Sequence, residues 1–173
     1  GIDTAAFGRG VKPTGFNNTV SDMKSFESPY SEMKWVAPDG SSVLGILFAN
    51  WYSNGNEVPV DPKEARSFWE RKLQDAERYA STPHLLFMNG CDHQPVQLDV
   101  DAAIQTAKEL YPDIDFIHSN FDDYIQAVKK ELPDNLQTIR GELRNQRTDG
   151  WSTLVNTASS RIYLKQMNQE CQT

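Results

Sequence analysis

The sequence predicts an α/β fold on a parallel sheet that runs into the start of a helical bundle. Three features carry that expectation. Residues 85–88 (Leu-Leu-Phe-Met) and 114–117 (Ile-Asp-Phe-Ile) are short apolar runs of the kind that buried parallel strands use, and an amphipathic stretch follows each. Strand, helix, strand, helix is the rhythm of a parallel sheet with crossover helices. After Asp134 the rhythm changes, and residues 151–171 read as one long helix.

Taken in order, residues 1–32 are rich in Gly, Ser, Asn and Pro with little periodicity, which predicts a long loop. Apolar runs at 33–37 and 43–49 flank Pro38-Asp39-Gly40, the signature of a hairpin. Asp61-Pro62-Lys63-Glu64 is a helix start: Asp61 can cap, Pro62 suits the first helical position and Glu64 completes a capping box. Ala65, Phe68, Trp69, Leu73, Ala76 and Tyr79 then recur every three or four residues, and Ser81-Thr82-Pro83 ends the helix. The run at 85–88 comes next, then a helix from about Asp99 with Ala103, Ile104, Ala107 and Leu110 inward, stopped before Pro112. After the run at 114–117, Asn120 can cap a third helix whose stripe is Phe121, Ile125, Val128 and Leu132. Residues 136–143 fit neither period well. In the last helix Trp151, Leu154, Val155, Ala158 and Ile162 share a face. The division falls between an α/β part, 1–140, and the start of a helical domain, 141–173.

The chain has 173 residues, enough for one compact domain or one domain and the start of a second. Its mean hydropathy of -0.61 is that of a polar-surfaced globular protein, and no apolar run approaches the roughly 20 residues of a membrane span. A net charge of -7 argues against nucleic acid as a partner, because phosphate binding needs a basic footprint. Cys91 and Cys171 lack any metal-ligand spacing, so neither a disulfide scaffold nor a structural zinc site is expected. Gly1-Ile2-Asp3-Thr4 opens without a methionine or a signal-peptide pattern, and reads as a chain cut from a longer one. Asn17-Asn18-Thr19 is formally a glycosylation sequon, a triplet common by chance.

In open α/β sheets ligands bind beyond the carboxyl ends of the parallel strands. That rule selects Asn50, Trp51 and Tyr52, then Asn89 to His93, then His118, Ser119 and Asn120 as segments that can line one pocket. Asn89-Gly90 permits a sharp turn, and Asp92-His93 offers a carboxylate and an imidazole together. Such a carboxylate can serve as general acid/base or hold sugar hydroxyls. From spacing alone, a turn Asp that caps local amides is the more ordinary use of such a residue. Trp51 and Tyr52 can stack on a hexose or simply be strand-end aromatics. His118 suits a surface histidine better than a catalytic one, and Cys91 a resting thiol better than a nucleophile. Arg9, between Gly8 and Gly10, can approach an anion closely or stand solvated.

Several segments resemble the glycoside hydrolase family 38 α-mannosidases, in particular their bacterial branch. Residues 1–10, Gly-Ile-Asp-Thr-Ala-Ala-Phe-Gly-Arg-Gly, are similar to the stretch after that family's nucleophile motif. Residues 33–47, with Asp39-Gly40-Ser41, resemble its next hairpin, and 86–95, Leu-Phe-Met-Asn-Gly-Cys-Asp-His-Gln-Pro, its acid/base segment. Gly141-Glu142-Leu143-Arg144 and residues 159–166 resemble the start of its helical bundle.

The resemblance implies a glycoside hydrolase/deacetylase-type catalytic domain and retaining hydrolysis of terminal α-linked mannose in glycans or small mannosides. It implies Asp92 as the general acid/base, Arg9 and Tyr52 as pocket residues, and Trp51 and His93 as neighbours that shape the pocket. Many animal members carry an acidic residue where this chain has Cys91, a departure that favours the bacterial branch. The family's zinc ion and aspartate nucleophile would be supplied by segments outside this chain, which holds none of those motifs. Retaining hydrolysis needs two carboxyl groups about 5–5.5 Å apart, and only one has a candidate here, so the isolated chain is expected to be inactive. Its partners would be a mannoside and the remainder of the same polypeptide, with no nucleic acid and no membrane, in the cytoplasm. The rival reading is a self-contained, non-catalytic α/β domain that binds carbohydrate or a protein partner.

Overall fold

The computed structural model describes residues 1–8, 28–48, 52–143 and 161–172. It is a mixed α/β structure around a mostly parallel sheet, as the sequence predicts. The elements run β1 (Thr4–Phe7), β2 (Glu32–Val36), β3 (Ser42–Leu47), α1 (Pro62–Glu77), α2 (Val100–Leu110), α3 (Phe121–Glu131), β4 (Thr138–Arg140) and α4 (Ile162–Gln172). The sheet order is β1-β3-β2-β4. β1 is parallel to β3 and β4 is parallel to β2, while β2 and β3 form the expected antiparallel hairpin with Val36 opposite Ser42. Its turn is closed by Asp39, whose carboxylate accepts from both the amide and the hydroxyl of Ser41 at 2.9 and 2.7 Å.

The helix punctuation acts largely as the sequence predicts. Asp61 accepts from the amides of Lys63 and Glu64, both at 3.0 Å, and Pro62 opens α1. Asn120 accepts from the Asp123 amide at 3.0 Å to start α3. α2 begins after Asp99, which makes no side-chain cap there, and stops before Pro112.

Two cores result. Ala65, Trp69 and Leu73 of α1 bury themselves against Ala103 and Ala107 of α2 and against Val58. The Trp69 ring meets Phe68, Phe87 and Phe116 edge-on at 5.2, 5.1 and 4.8 Å. The second core lies on the sheet, where Met33, Leu47 and Ile139 pack with Phe7 and Trp35. The Trp35 indole N–H donates to the Gly141 carbonyl at 2.7 Å, tying β2 to the residue after β4.

Two expectations are corrected and one ambiguous stretch is resolved. Thr4–Phe7 is a strand rather than loop, because its backbone pairs with β3 across a stretch of chain that local pattern cannot span. Residues 136–143, ambiguous by period, contain β4. Residues 85–88 and 114–117 run without a strand ladder among the described residues. The first is satisfied from the side by the turn at 52–57: Asn54 donates to the Leu86 carbonyl at 2.9 Å and accepts from the Met88 amide at 2.8 Å, and the Gly55 amide donates to the Met88 carbonyl at 3.0 Å. In the second, Phe116 packs on Trp69 but Ile117 is 76% exposed, so a strand buried on both faces is not what forms.

The α3 stripe is uneven: Val128 is fully buried and Phe121 is 40% exposed. α4 is exposed along its length, Ile162 included, while Trp151, Leu154, Val155 and Ala158 lie outside the described residues, as does the sequon at Asn17.

Candidate functional site

Two of the three loop segments selected from the sequence meet. Tyr52 opens the turn at 52–57, and its phenol donates to Asp92 Oδ2 across a long 3.5 Å. A Cβ placed on Gly8 would sit 3.8 Å from Tyr52 Cδ1, so the end of β1 abuts the same ring. The carboxylate of Asp92 is exposed, half of a tight turn with His93. Two unusual backbone angles flank it: Gly90 has φ +141° and His93 has φ +63°. Glycine takes such an angle freely, whereas a histidine there costs roughly 1–2 kcal/mol. The turn aims the Asp92 side chain outward, toward solvent and Tyr52.

The third segment goes elsewhere. His118 Nδ1 lies 3.7 Å from Asp101 at the start of α2, and Asn120 is occupied capping α3. Cys91 is an exposed free thiol. His93 is exposed beside Asp92. Arg9 and Trp51 lie outside the described residues.

Sequence reasoning missed the residues that hold this arrangement. Asn54 is 6% exposed and brackets the backbone at 86–88 through both ends of its amide. Gln97 does the same to Val58, accepting its amide at 3.0 Å and donating to its carbonyl at 2.7 Å. Asn89 donates to the Gly55 carbonyl at 3.0 Å and to Gln97 Oε1 at 2.9 Å. Asn54-Gly55 is a recognisable turn pair, but nothing in the local pattern marks Gln97.

Among the described residues, no three His, Cys, Asp or Glu side chains gather as a metal ion would require. No chemical step is assigned to a metal here. One exposed carboxylate with a phenol beside it can donate or accept a proton.

A scan against protein-family models finds no match. A crystal structure of an α-mannosidase from Enterococcus faecalis superposes with a TM-score of 0.81 at 59% identity, over 97% of this chain and 18% of that one. Among curated proteins, the chain is 67% identical over its full 173 residues to a protein of Halalkalibacterium halodurans named "Putative mannosylglycerate hydrolase". It spans 19% of that relative's length. The chain is thus similar, from end to end, to one segment of larger mannosidase-type glycoside hydrolases. No helix among the described residues is long and apolar enough to cross a membrane.

Proposed function

We propose that this chain is part of a retaining α-mannosidase of glycoside hydrolase family 38, acting on terminal α-linked mannose, and that Asp92 is its general acid/base. The observation that carries the reading is end-to-end similarity to mannosidase segments, combined with an exposed Asp92 carboxylate beside the Tyr52 phenol. In the first step a carboxylate from outside the chain attacks the anomeric carbon while Asp92 gives its proton to the departing oxygen. In the second, Asp92 takes a proton from the water that releases mannose. Tyr52 orients the Asp92 carboxylate and His93 stands beside it, while Arg9 and Trp51, outside the described residues, are the further candidates for binding the sugar. The zinc ion belongs to residues beyond this chain, as does the nucleophile. The α/β part ends near 140, and α4 is the start of a helical domain. Two exposed thiols favour a cytoplasmic setting.

The rival reading, a self-contained binding domain, is disfavoured by the comparisons, in which the chain matches only 19% and 18% of two longer proteins.

The test is Asp92→Asn in the full-length protein. On an unactivated mannoside kcat/KM falls by about 10²–10⁴, whereas on an aryl mannoside with a good leaving group, which departs without a proton, it falls far less. Full activity of the variant on the unactivated mannoside would overturn the assignment.

A further inference from the structure

The Asp92 loop has little apolar packing of its own. Residues 91–96 are all exposed, and Leu98 beyond them is 94% exposed. Its shape comes instead from its neck. Asn89 and Gln97, eight residues apart, are joined by a 2.9 Å hydrogen bond that closes the loop into a ring. The same two amides fasten the ring to the turn that begins with Tyr52. Asn89 donates to the Gly55 carbonyl, and Gln97 engages both backbone polar groups of Val58, the way a neighbouring strand would. A further bond from Gln97 Nε2 to Asp99 Oδ1 at 2.9 Å sets the outer edge of the neck.

From this geometry we infer that Gln97 is a positioning residue for the reaction, setting where the Asp92 carboxylate stands relative to Tyr52 and the scissile oxygen. The inference rests on the reading of Asp92 as the acid. The hydrogen bonds of Gln97 go to Val58, Asn89 and Asp99, so its influence on Asp92 runs through the loop backbone. Loss of its amide therefore damages proton donation and spares steps that need no proton.

The experiment is a double-mutant cycle in the full-length enzyme with Gln97→Met, Asp92→Asn and the pair. In Gln97→Met, kcat/KM on an unactivated mannoside falls roughly 10- to 100-fold, and on an activated aryl mannoside less than about 3-fold. In the Asp92→Asn background the Gln97 substitution adds almost no further loss, because the group it positions is gone. Equal losses on both substrates, or additive losses in the pair, would overturn the inference and leave Asp92 as the acid. If Asp92→Asn itself fails to separate the two substrates, the reading of Asp92 falls and this inference with it. Gln97→Glu keeps the acceptor for the Val58 amide and removes the donors. Should Gln97→Met not fold, Gln97→Glu is judged by the same substrate ratio.

Discussion

The Glu32 carboxylate, only 2% exposed, accepts the Ser81 amide at 2.8 Å and thereby fastens β2 to the chain leaving α1. Its other oxygen accepts from the Ser31 hydroxyl at 2.9 Å, and the Ser31 amide donates to the Tyr79 carbonyl at 2.8 Å. Burial, and after it the Glu32 carboxylate, pushes the nearby Tyr124 phenol well up from its ordinary range. Glu32→Ala leaves the Ser81 amide without its acceptor and costs about 2–3 kcal/mol. Glu32→Gln keeps one acceptor oxygen and costs about half as much. Urea denaturation of the two variants compared with the parent distinguishes a latch from a spectator carboxylate; equal, negligible losses would make it a spectator.

Gly55 allows the turn at 52–57 to lie directly on residues 87–88. A Cβ there would meet Phe87 Cβ at 2.9 Å and the Phe87 carbonyl carbon at 3.0 Å, and backbone cannot swing aside as a flexible side chain would. Gly55→Ala is expected to cost about 1–3 kcal/mol of overpacking and to part Tyr52 from Asp92. Denaturation measures the first effect, and a loss of activity on unactivated mannosides greater than that on activated ones measures the second.

Trp69 carries the helical core, yet its indole N–H is buried without a partner among the described residues. Trp69→Ala removes the ring that Phe68, Phe87 and Phe116 all edge against, and is expected to cost about 3–5 kcal/mol. The orphan N–H offsets part of that figure, so a measured loss toward the lower end is the expected outcome of a chemical melt.

Asp3 and Lys129 pair at 2.8 Å across the gap between β1 and α3. The hydrogen bond from Lys129, then that from Thr4, holds the Asp3 carboxyl below its ordinary value. A depressed folded-state value contributes stability that is present above the unfolded value and lost as pH falls through the folded one. Because Asp3 is exposed, the energetic share is small. The checkable quantity is the titration itself: the Asp3 carboxyl carbon should titrate below an unstructured aspartate, and Lys129→Met should return it toward that reference.

What the sequence made legible follows physical range. The hairpin at Asp39, the caps at Asp61 and Asn120 and the apolar face of α1 are local patterns, and each forms as read. β1 and β4 leave little local signal, because the evidence for each is a partner strand distant in the chain. The runs at 85–88 and 114–117 have the composition of buried strands, but their backbone needs are met by side-chain amides or by no ladder at all among the described residues. In the site, the Asn89-Gly90 turn announced the bend that carries Asp92. The grip of Gln97 on Val58 had no such signal, since a lone glutamine in a loop says nothing about which backbone it will reach.

The fastening of that loop is almost wholly uncharged: primary amides on backbone amides, with the Asp99 carboxylate only at its margin. Neutral dipoles in short contact are indifferent to ionic strength in a way that surface ion pairs are not. Added salt and moderate swings in acidity should therefore leave the frame standing. On the proposed role of Asp92, a pH–rate curve of the full-length protein would then report chiefly the proton-exchanging groups themselves, with little distortion from the frame that holds them.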